Sequence, residues 1–344
     1  MATAIPENRA PFTVEEIARA TAGKVVHGGG ATIGVSTDSR AIAAGAAFVA
    51  LTGDKFDGHA FLAGAVARGA RTLVVSRDDV GPWEGAAPAV VRVDDTRKAL
   101  GALSRAHRVR WGGADSPRRV VAITGSAGKT TTKSVLARIL DAMAPGTVHA
   151  TTGNLNNDIG VPMTLFGLGA AHRYAVIEVG TNARGEIANL ASIAVPDAGV
   201  LTLVAAAHTE GIGTVDDVAV EKGELLAALP ASGLAVANAD DARAVAQLGR
   251  SAAKTKLTYG FAEKADYRVT IAASRGARGH RLHIERRGAG TFVDVESPLL
   301  GEAGALAVTA SLAVAEWAVG RAATAPAIEA ALSSFAGSSD GRLS

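Results

Sequence analysis

The sequence predicts an α/β protein, in which a small α/β domain precedes a larger domain with a mostly parallel sheet and a small antiparallel meander. Three observations support this prediction. Short apolar runs of strand length alternate with helical stretches along most of the chain. A Gly-rich turn joins one of these runs to an amphipathic helix. Between residues 267 and 295 the apolar residues recur with a period of two, which is typical of antiparallel strands.

The first domain is predicted to comprise residues 1–115. Thr13 and Glu16 form a capping-box pattern that begins a short helix, and this helix ends near Gly23. The predicted strands are Ala46–Leu51, Thr72–Val75 and Val90–Val93, and a helix is predicted near Ala60–Arg68. Glycines and a proline between residues 110 and 118 indicate a linker to the next domain.

The second domain is predicted to comprise residues 116–338. A buried strand at Val120–Ile123 leads into the Gly-rich turn, and a helix with regularly spaced apolar residues follows, from Val135 to Met143. Further strands are predicted at Ala175–Val179, Val200–Val204 and Leu234–Ala237, followed by a meander at Tyr267–Ile271, Arg281–Ile284 and Thr291–Val295 and a helix at about Ala303–Val319. The alternation of strands and helices implies a sheet that is covered by helices on both faces.

The composition excludes several classes of protein. The chain of 344 residues contains no cysteine, so disulfides, thiolate metal sites and a cysteine nucleophile are excluded. Its net charge of +2, with scattered arginines, differs from the basic stripe of a nucleic-acid-binding protein. The amino terminus lacks the pattern of a signal peptide, and no apolar run approaches the roughly 20 residues that span a bilayer. We therefore expect a cytoplasmic protein with no nucleic-acid partner and no membrane insertion.

The Gly-rich turn has the features of a phosphate-binding loop. Its residues are Thr124, Gly125, Ser126, Ala127, Gly128, Lys129, Thr130 and Thr131. Glycines let backbone N–H groups surround phosphate oxygens, and the start of the helix adds a favourable dipole. Lys129 is expected to neutralise phosphate charge and Thr130 to bind Mg²⁺, which predicts ATP with Mg²⁺ as the ligand. The generic motif has a glycine where Ile123 stands, and the alternative interpretation is a Gly-rich turn with a solvated lysine.

Three further side chains are polar where a simple fold has no need of them. Glu178 ends an apolar strand, where a carboxylate beside a phosphate loop is well placed to bind Mg²⁺. His208 follows another strand, and Lys222 lies on a predicted helix. Taken one at a time, each has an ordinary alternative: an edge position for Glu178, a structural histidine for His208 and a solvated lysine for Lys222.

A run rich in amides lies between the phosphate loop and Glu178. It contains Thr152, Asn154, Asn156 and Asn157, and it continues to Pro162. Asparagines often serve only to cap turns, which is the alternative interpretation. The length of this run favours contact with a ligand.

Together these segments resemble the Mur ligase family. The matching segments are TGSAGKTT, TTGNLNNDIGVPMTL, AVIEVGTNARGEI, AAAHTEGIGT, EKGELL and ANADD. The first domain also resembles the UDP-binding domain of this family, through Ser36–Arg40, Phe48–Leu51 and Phe56–His59. The resemblance extends from about Phe12 to Arg342, and the non-glycine at Ile123 is the form that this superfamily uses.

Within the family, the segment Asn154–Pro162 is most similar to the ligase type that joins D-alanyl-D-alanine to UDP-N-acetylmuramoyl-tripeptide. That resemblance implies an ADP-forming peptide ligase of peptidoglycan precursor synthesis, which acts through an acyl phosphate in the cytoplasm and is expected to be monomeric. Substrate-binding residues would be Ser39, Arg40, Asp57, His59, Thr152, Asn154, Asn156 and Asn157.

The resemblance also implies roles at the nucleotide site. Thr130 and Glu178 would hold one Mg²⁺, and His208 and Lys222 would support a second. In this family the lysine carries a carbamate derived from CO₂, which converts a cation into an oxygen ligand of the kind that Mg²⁺ prefers. The implied catalytic residues are Lys129, His208 and Lys222.

The sequence departs from the family pattern in two places. The segment that helps to hold adenine in relatives reads Gly301–Ala307 here, without its histidine and asparagines, so Asn238 and Asp240 are expected to contribute to the adenine contact. Residues 339–344 are expected to begin a carboxy-terminal domain that the chain lacks, so turnover by this chain alone is not expected. The alternatives are a non-catalytic nucleotide-binding paralogue, another amide ligase of the superfamily, or a phosphate-loop kinase.

Overall fold

The computed structural model describes residues 6–53, 56–81, 83, 87–112, 116–206 and 209–335. The chain forms two compact units: one contains Met1–Ser116 and Thr152–Ala170, and the other contains Pro117–Thr151 and Ala171–Ser344. The first boundary lies one residue beyond the division at 115/116 that the sequence suggested. The segment Thr152–Ala170, which the sequence placed in the second domain, instead packs with the first unit.

The elements are numbered in chain order. Among the described residues, the strands are β1 (Pro11–Thr13), β2 (Lys24–His27), β3 (Ala31–Ile33), β4 (Val35–Ser36), β5 (Ala47–Val49), β6 (Thr52–Gly53), β7 (Phe56–Asp57), β8 (Thr72–Val75), β9 (Ala89–Arg92), β10 (Arg119–Thr124), β11 (Val148–Ala150), β12 (Tyr174–Glu178), β13 (Ala198–Leu201), β14 (Leu234–Asn238), β15 (Thr255–Gly260), β16 (Tyr267–Ser274), β17 (His280–Arg286) and β18 (Thr291–Ser297). The α-helices are α1 (Val14–Thr21), α2 (Leu62–Ala67), α3 (Thr96–Gly112), α4 (Lys129–Met143), α5 (Gly160–Phe166), α6 (Glu186–Ala194), α7 (Thr209–Ile212), α8 (Val215–Ala227), α9 (Ala242–Gln247), α10 (Gly301–Val319) and α11 (Ala325–Ser333).

The first unit contains a five-stranded sheet in the order β2-β9-β8-β5-β4, in which only β2 is antiparallel to its neighbour. The predicted helix start is confirmed, because Thr13 and Glu16 form both hydrogen bonds of a capping box on α1. Met163 and Phe166 of α5 are buried in the same core cluster as Phe12. The core of this unit is therefore built from two separate stretches of chain.

The second unit contains a nine-stranded sheet in the order β11-β12-β10-β13-β14-β15-β16-β17-β18. Strands β10 to β16 are parallel, and β16, β17 and β18 form the predicted meander, which continues the main sheet. The predicted α/β class with a mostly parallel sheet is confirmed. In such sheets ligands bind at the carboxyl ends of the strands, so β10, β12, β13 and β14 direct their ends to one candidate edge.

Helix α10 packs against the core of the second unit. It is long and apolar enough to be compared with a membrane span, but 67% of its most apolar window is buried within the protein. Its apolar character is therefore accounted for by packing against the sheet and α4. Near its end, Glu316 receives hydrogen bonds from Arg286 at 2.7–3.1 Å, from the Tyr267 hydroxyl at 2.8 Å and from the Ala323 amide at 2.9 Å.

Candidate functional site

The phosphate-loop sequence forms the turn between β10 and α4, as the strand–loop–helix pattern predicts. Gly125 has a φ of +152° and Gly128 a φ of +82°, and both values lie outside the range that other residues readily adopt. A Cβ atom on Gly125 would lie 1.9 Å from Oγ1 of Thr202, the residue after β13, so the loop leaves no room for a side chain here. These two glycines are required by the geometry of the loop.

The loop is braced by the residues that follow β13. The Ser126 amide donates to the carbonyl oxygen of Leu203 at 2.7 Å, and the Ser126 hydroxyl exchanges hydrogen bonds with the backbone of Ala205 at 3.0 and 3.1 Å. The Thr202 hydroxyl donates to the carbonyl oxygen of Ala127 at 2.6 Å. Sequence reasoning missed Thr202, because a threonine after an apolar strand gives no sign of its partner.

Lys129 begins α4 and folds back over the loop. Its Nζ donates to the carbonyl oxygen of Gly125 at 2.7 Å. Burial lowers the pKa of this ammonium, and the Glu178 carboxylate partly opposes the shift. The start of α4 has no capping side chain, so its N–H groups and Lys129 together suit an anion. Thr130 is exposed at the same helix end, and Thr124 is buried beneath the loop.

Glu178 ends β12 directly beside β10, where it is paired in register with Ile123. Its side chain is buried, which rules out the solvent-facing edge position considered above. The Glu178 amide donates to Oγ1 of Thr151 at 3.0 Å, and its Oε2 lies 3.8 Å from Nζ of Lys133. Lys133 lies one turn after Lys129 on α4 and was not predicted, since a helix lysine is usually solvated.

Lys222 is fully buried on α8, so the interpretation as a solvated lysine is wrong. Its pKa is lowered to about 8, mainly by burial and to a smaller extent by repulsion from Lys129, and Glu221 opposes the shift. Oε2 and Oε1 of Glu221 accept hydrogen bonds from the amides of Gly185 and Ile187 at 2.8 and 2.9 Å. Glu221 thereby caps α6 and joins it to the helix that carries Lys222.

The remaining residues predicted for the nucleotide site differ in their placement. His208 lies outside the described residues. Asn238 ends β14, and its Oδ1 accepts from the Asp240 amide at 3.0 Å. The Asp240 carboxylate accepts from the amides of Phe261 and Ala262 at 2.9 and 2.8 Å, so both side chains tie together turns at this edge of the sheet.

The substrate residues predicted in the amino-terminal part form two hydrogen-bonded groups. Arg40 is bound to Asp38 through two hydrogen bonds of 2.9 and 2.8 Å, and this contact lowers the pKa of Asp38. Ser39 lies between them. Asp57 Oδ1 lies 2.6 Å from Nδ1 of His59, and Nε2 of His59 accepts from the Ser76 amide at 3.0 Å. These contacts fix the orientation of the His59 ring between Asp57 and Ser76.

The amide-rich run belongs to the first unit. Asn157 Oδ1 accepts from the amides of Gly160 and Ile159 at 2.8 and 3.3 Å, so this asparagine caps the turn that leads into α5. Thr152 and Asn154 are exposed, and Asn156 is half-buried. Asn157 therefore has the capping role, which was the alternative interpretation of this run.

The donor set beside the phosphate loop suits Mg²⁺ that arrives with a nucleotide. Among the described residues there is no cluster of three or more histidine and acidic side chains that would hold a metal by itself. Glu178 and Thr130 provide oxygen donors, and Mg²⁺ in phosphate sites commonly takes only one or two protein ligands together with phosphate oxygens and water.

The braced loop, Lys129 and the buried Glu178 at the carboxyl ends of parallel strands define a phosphate-loop nucleotide-binding protein. Residues 123–315 match the family model of the Mur ligase middle domain, and residues 33–108 match the family model of the Mur ligase catalytic domain. The chain belongs to the Mur ligase family, and the resemblance seen in its sequence is confirmed.

Similar curated proteins from several bacteria share the same name. The UDP-N-acetylmuramoyl-tripeptide–D-alanyl-D-alanine ligase of Escherichia coli (strain K12) is 46% identical over 207 residues, which is 60% of this chain and 43% of the relative. The ligase of the same name from Synechocystis is 38% identical over 239 residues, or 69% of this chain and 50% of the relative. The aligned region thus spans about half the length of these relatives.

Solved structures show the same similarity. A crystal structure of MurF from Acinetobacter baumannii has a TM-score of 0.79 and 32% identity, and the match covers 94% of this chain and 68% of that one. The MurF ligase from Thermotoga maritima, solved in complex with ADP, has a TM-score of 0.73 and 26% identity, with 86% and 65% covered.

Proposed function

We propose that the protein acts in the ATP-dependent joining of D-alanyl-D-alanine to UDP-N-acetylmuramoyl-tripeptide, with release of ADP. The observation that carries this proposal is the phosphate loop, with Lys129 folded over it and Glu178 and Lys222 buried nearby. The names of the relatives at 33–46% identity supply the substrates. Both substrates are precursors of peptidoglycan, and we expect a monomer that works in the cytoplasm without membrane insertion.

Each unit would bind one part of the reacting complex. The first unit would hold the UDP-linked substrate through Ser39, Arg40, Asp57, His59 and the run from Thr152 to Asn157. Arginine suits a diphosphate because its planar guanidinium donates two parallel hydrogen bonds. The second unit would hold ATP through residues 124–131, with Asn238 and Asp240 beside the adenine. Its main task is to position the phosphate and neutralise its charge, which are the principal sources of catalysis in phosphoryl transfer.

Thr130 and Glu178 would hold Mg²⁺, and His208 and Lys222 would support a second ion. Bound Mg²⁺ would supply charge neutralisation at the transferring phosphate. Lys222 also suits a carbamate, because only the neutral amine reacts with CO₂ and a pKa of about 8 leaves about a tenth of the amine neutral at pH 7, far more than an ordinary lysine has. Isotope-labelled CO₂ should give a carbamate NMR signal that is absent from Lys222→Met.

The proposal is tested first at Lys129. Lys129→Ala should weaken binding of ATP–Mg²⁺ by about 10- to 100-fold, because a hydrogen bond to a charged group contributes about 1.5–3 kcal/mol. Calorimetric titration of the whole chain measures this. Lys254→Ala is the control, since Lys254 is exposed just before β15, at the end of the sheet where the parallel strands begin. Equal ATP affinity in Lys129→Ala and the parent would refute the phosphate-loop assignment.

The substrates are tested in the same protein. UDP-N-acetylmuramoyl-tripeptide should bind the parent, and Arg40→Ala should weaken it while ATP binding stays unchanged. Product formation with ATP, Mg²⁺ and D-alanyl-D-alanine, measured on this chain extended by a carboxy-terminal domain of the family, then decides the reaction. ATP binding in a protein that binds no UDP substrate would favour the nucleotide-binding paralogue, for which the altered segment Gly301–Ala307 is the supporting observation.

A further inference from the structure

Lys133 is a buried cation that directly faces the candidate metal ligand. Its side chain is 7% exposed and that of Glu178 is 3% exposed. Its Nζ lies 3.8 Å from Oε2 of Glu178, which is an ion-pair distance. Burial lowers the pKa of the Lys133 ammonium, and Glu178 opposes the shift. An apolar side chain would fill this position without that cost, so the charge calls for an explanation other than packing.

The surroundings of Glu178 carry more positive than negative charge. Lys129, Lys133 and Lys222 are all buried or partly buried here; Glu178 attracts Lys129 and Lys133, and Lys129 repels Lys222. Among the described residues, the second carboxylate whose charge acts on these lysines is Glu221, and the start of α6 donates hydrogen bonds to both its oxygens. A free divalent cation would add to an existing excess of positive charge, whereas a triphosphate would reverse it.

We propose that Lys133 is a specificity-determining residue that reserves Glu178 for a metal ion arriving together with a nucleotide. Without nucleotide, Lys133 is the counter-cation of Glu178 and disfavours binding of a free divalent ion. With nucleotide, the phosphate charges offset the three lysines, and Glu178 becomes available to the metal. This inference rests on the proposed role of Glu178 as a metal ligand.

The effect is specific to charge, so two substitutions at the same position separate it from packing. Lys133→Met keeps the length and apolar stem of the side chain but removes its charge. Lys133→Arg keeps the charge. Lys254→Met removes an exposed lysine that precedes β15, at the end of the sheet where the parallel strands begin, and it serves as the control for net charge.

Binding of Mn²⁺ alone, followed by its electron paramagnetic resonance signal, is the test. The parent, Lys133→Arg and Lys254→Met should bind Mn²⁺ weakly, and Lys133→Met should bind it about tenfold more tightly or better. With a non-hydrolysable ATP analogue present, the affinities of parent and Lys133→Met should converge. Adding Glu178→Gln to Lys133→Met should abolish the gain in Mn²⁺ binding.

Equal Mn²⁺ affinity of parent and Lys133→Met without nucleotide would overturn the inference. Persistence of the gain in the double variant would also overturn it, because the ion would then lie elsewhere. If Lys133→Met does not fold, Lys133→Gln takes its place with the same expectations. A parent that binds no ATP analogue would refute the proposed function, whereas the comparison with Mn²⁺ alone still decides the role of Lys133.

Discussion

The second unit buries two groups of charged side chains, one beside the phosphate loop and one where α10 meets the antiparallel strands. In the second group Arg286, Glu316 and Tyr267 are joined by direct hydrogen bonds of 2.7–3.1 Å, and the Ala323 amide completes the set. In the first group three lysines lie close together, so that Lys129 repels Lys222, while Lys133 forms an ion pair with Glu178.

The second group has the contacts of a network that stabilises the fold, whereas the first is the group proposed above to bind a ligand. A buried ion pair with complete hydrogen bonding holds its partners in one arrangement, and removing one partner leaves an isolated charge. Buried lysines with too few carboxylates reduce stability, and this cost is relieved when an anion binds. Removal of charge should therefore act in opposite directions in the two groups.

The largest effect is expected at Glu316. Glu316→Gln leaves Arg286 without its counter-charge, and the free energy of unfolding of the second unit should fall by about 3–5 kcal/mol. Hydrogen exchange of the α10 amides measures this unit separately from the first. Protection equal to that of the parent would show that this network does not stabilise the fold.

The next effect has the opposite sign. Lys222→Met should raise the free energy of unfolding by about 3 kcal/mol at pH 7, because the pKa of Lys222 falls from 10.5 to about 8 on folding. Between these two values the unfolded chain holds a proton that the folded chain has released, so parental stability should rise with pH across this window. The advantage of Lys222→Met should thus be complete below pH 8 and vanish above pH 10.5. Urea unfolding at several pH values, without Mg²⁺ or CO₂, checks this, and a Lys222→Met protein less stable than the parent at pH 7 would contradict the comparison.

A smaller loss of unfolding free energy is expected at Glu221. This residue belongs to the first group, but both its oxygens already accept hydrogen bonds. Glu221→Gln removes one of two acceptors for the amides of Gly185 and Ile187, so it should cost about 1–3 kcal/mol. Faster hydrogen exchange should appear at the start of α6. Glu224→Gln, on the same helix but paired with Arg250 at the surface, should leave that exchange unchanged.

The smallest effect is expected for an exposed pair. Arg275 and Glu296 are 2.6 Å apart, and both side chains are more than 40% exposed. Glu296→Gln should change the free energy of unfolding by less than about 1 kcal/mol. This variant sets the baseline for urea unfolding, and a loss as large as that of Glu316→Gln would remove the distinction between buried and exposed charges.

Local patterns were sufficient to predict much of this fold. The alternation of apolar runs predicted the sheets of both units, the period of two predicted β16 to β18, and the strand–turn–helix pattern predicted the phosphate loop. Glu178 was recognisable because a carboxylate interrupts an apolar strand. Each of these signals depends on residues that are close together in the chain.

The partners of charged residues could not be predicted in this way. Lys133 is an ordinary helix lysine until β12 places Glu178 beside it, and Arg286 gives no indication that it binds Glu316, which lies thirty residues further along. The segment Thr152–Ala170 also packs with residues that are distant in sequence, as the contacts of Asp158 with Arg97 and of Leu168 with His107 show. Such pairings are decided by tertiary structure alone.

The division of the first unit between two stretches of chain has a consequence for how the protein is made. Met163 and Phe166 complete the core around Phe12, but the ribosome adds them only after β10, α4 and β11 of the second unit. Part of the apolar core of the first unit therefore stays exposed to solvent during synthesis, until the ribosome has passed the phosphate loop and added α5. A fragment that ends at residue 115 lacks those side chains permanently, so the two units are better studied within one chain.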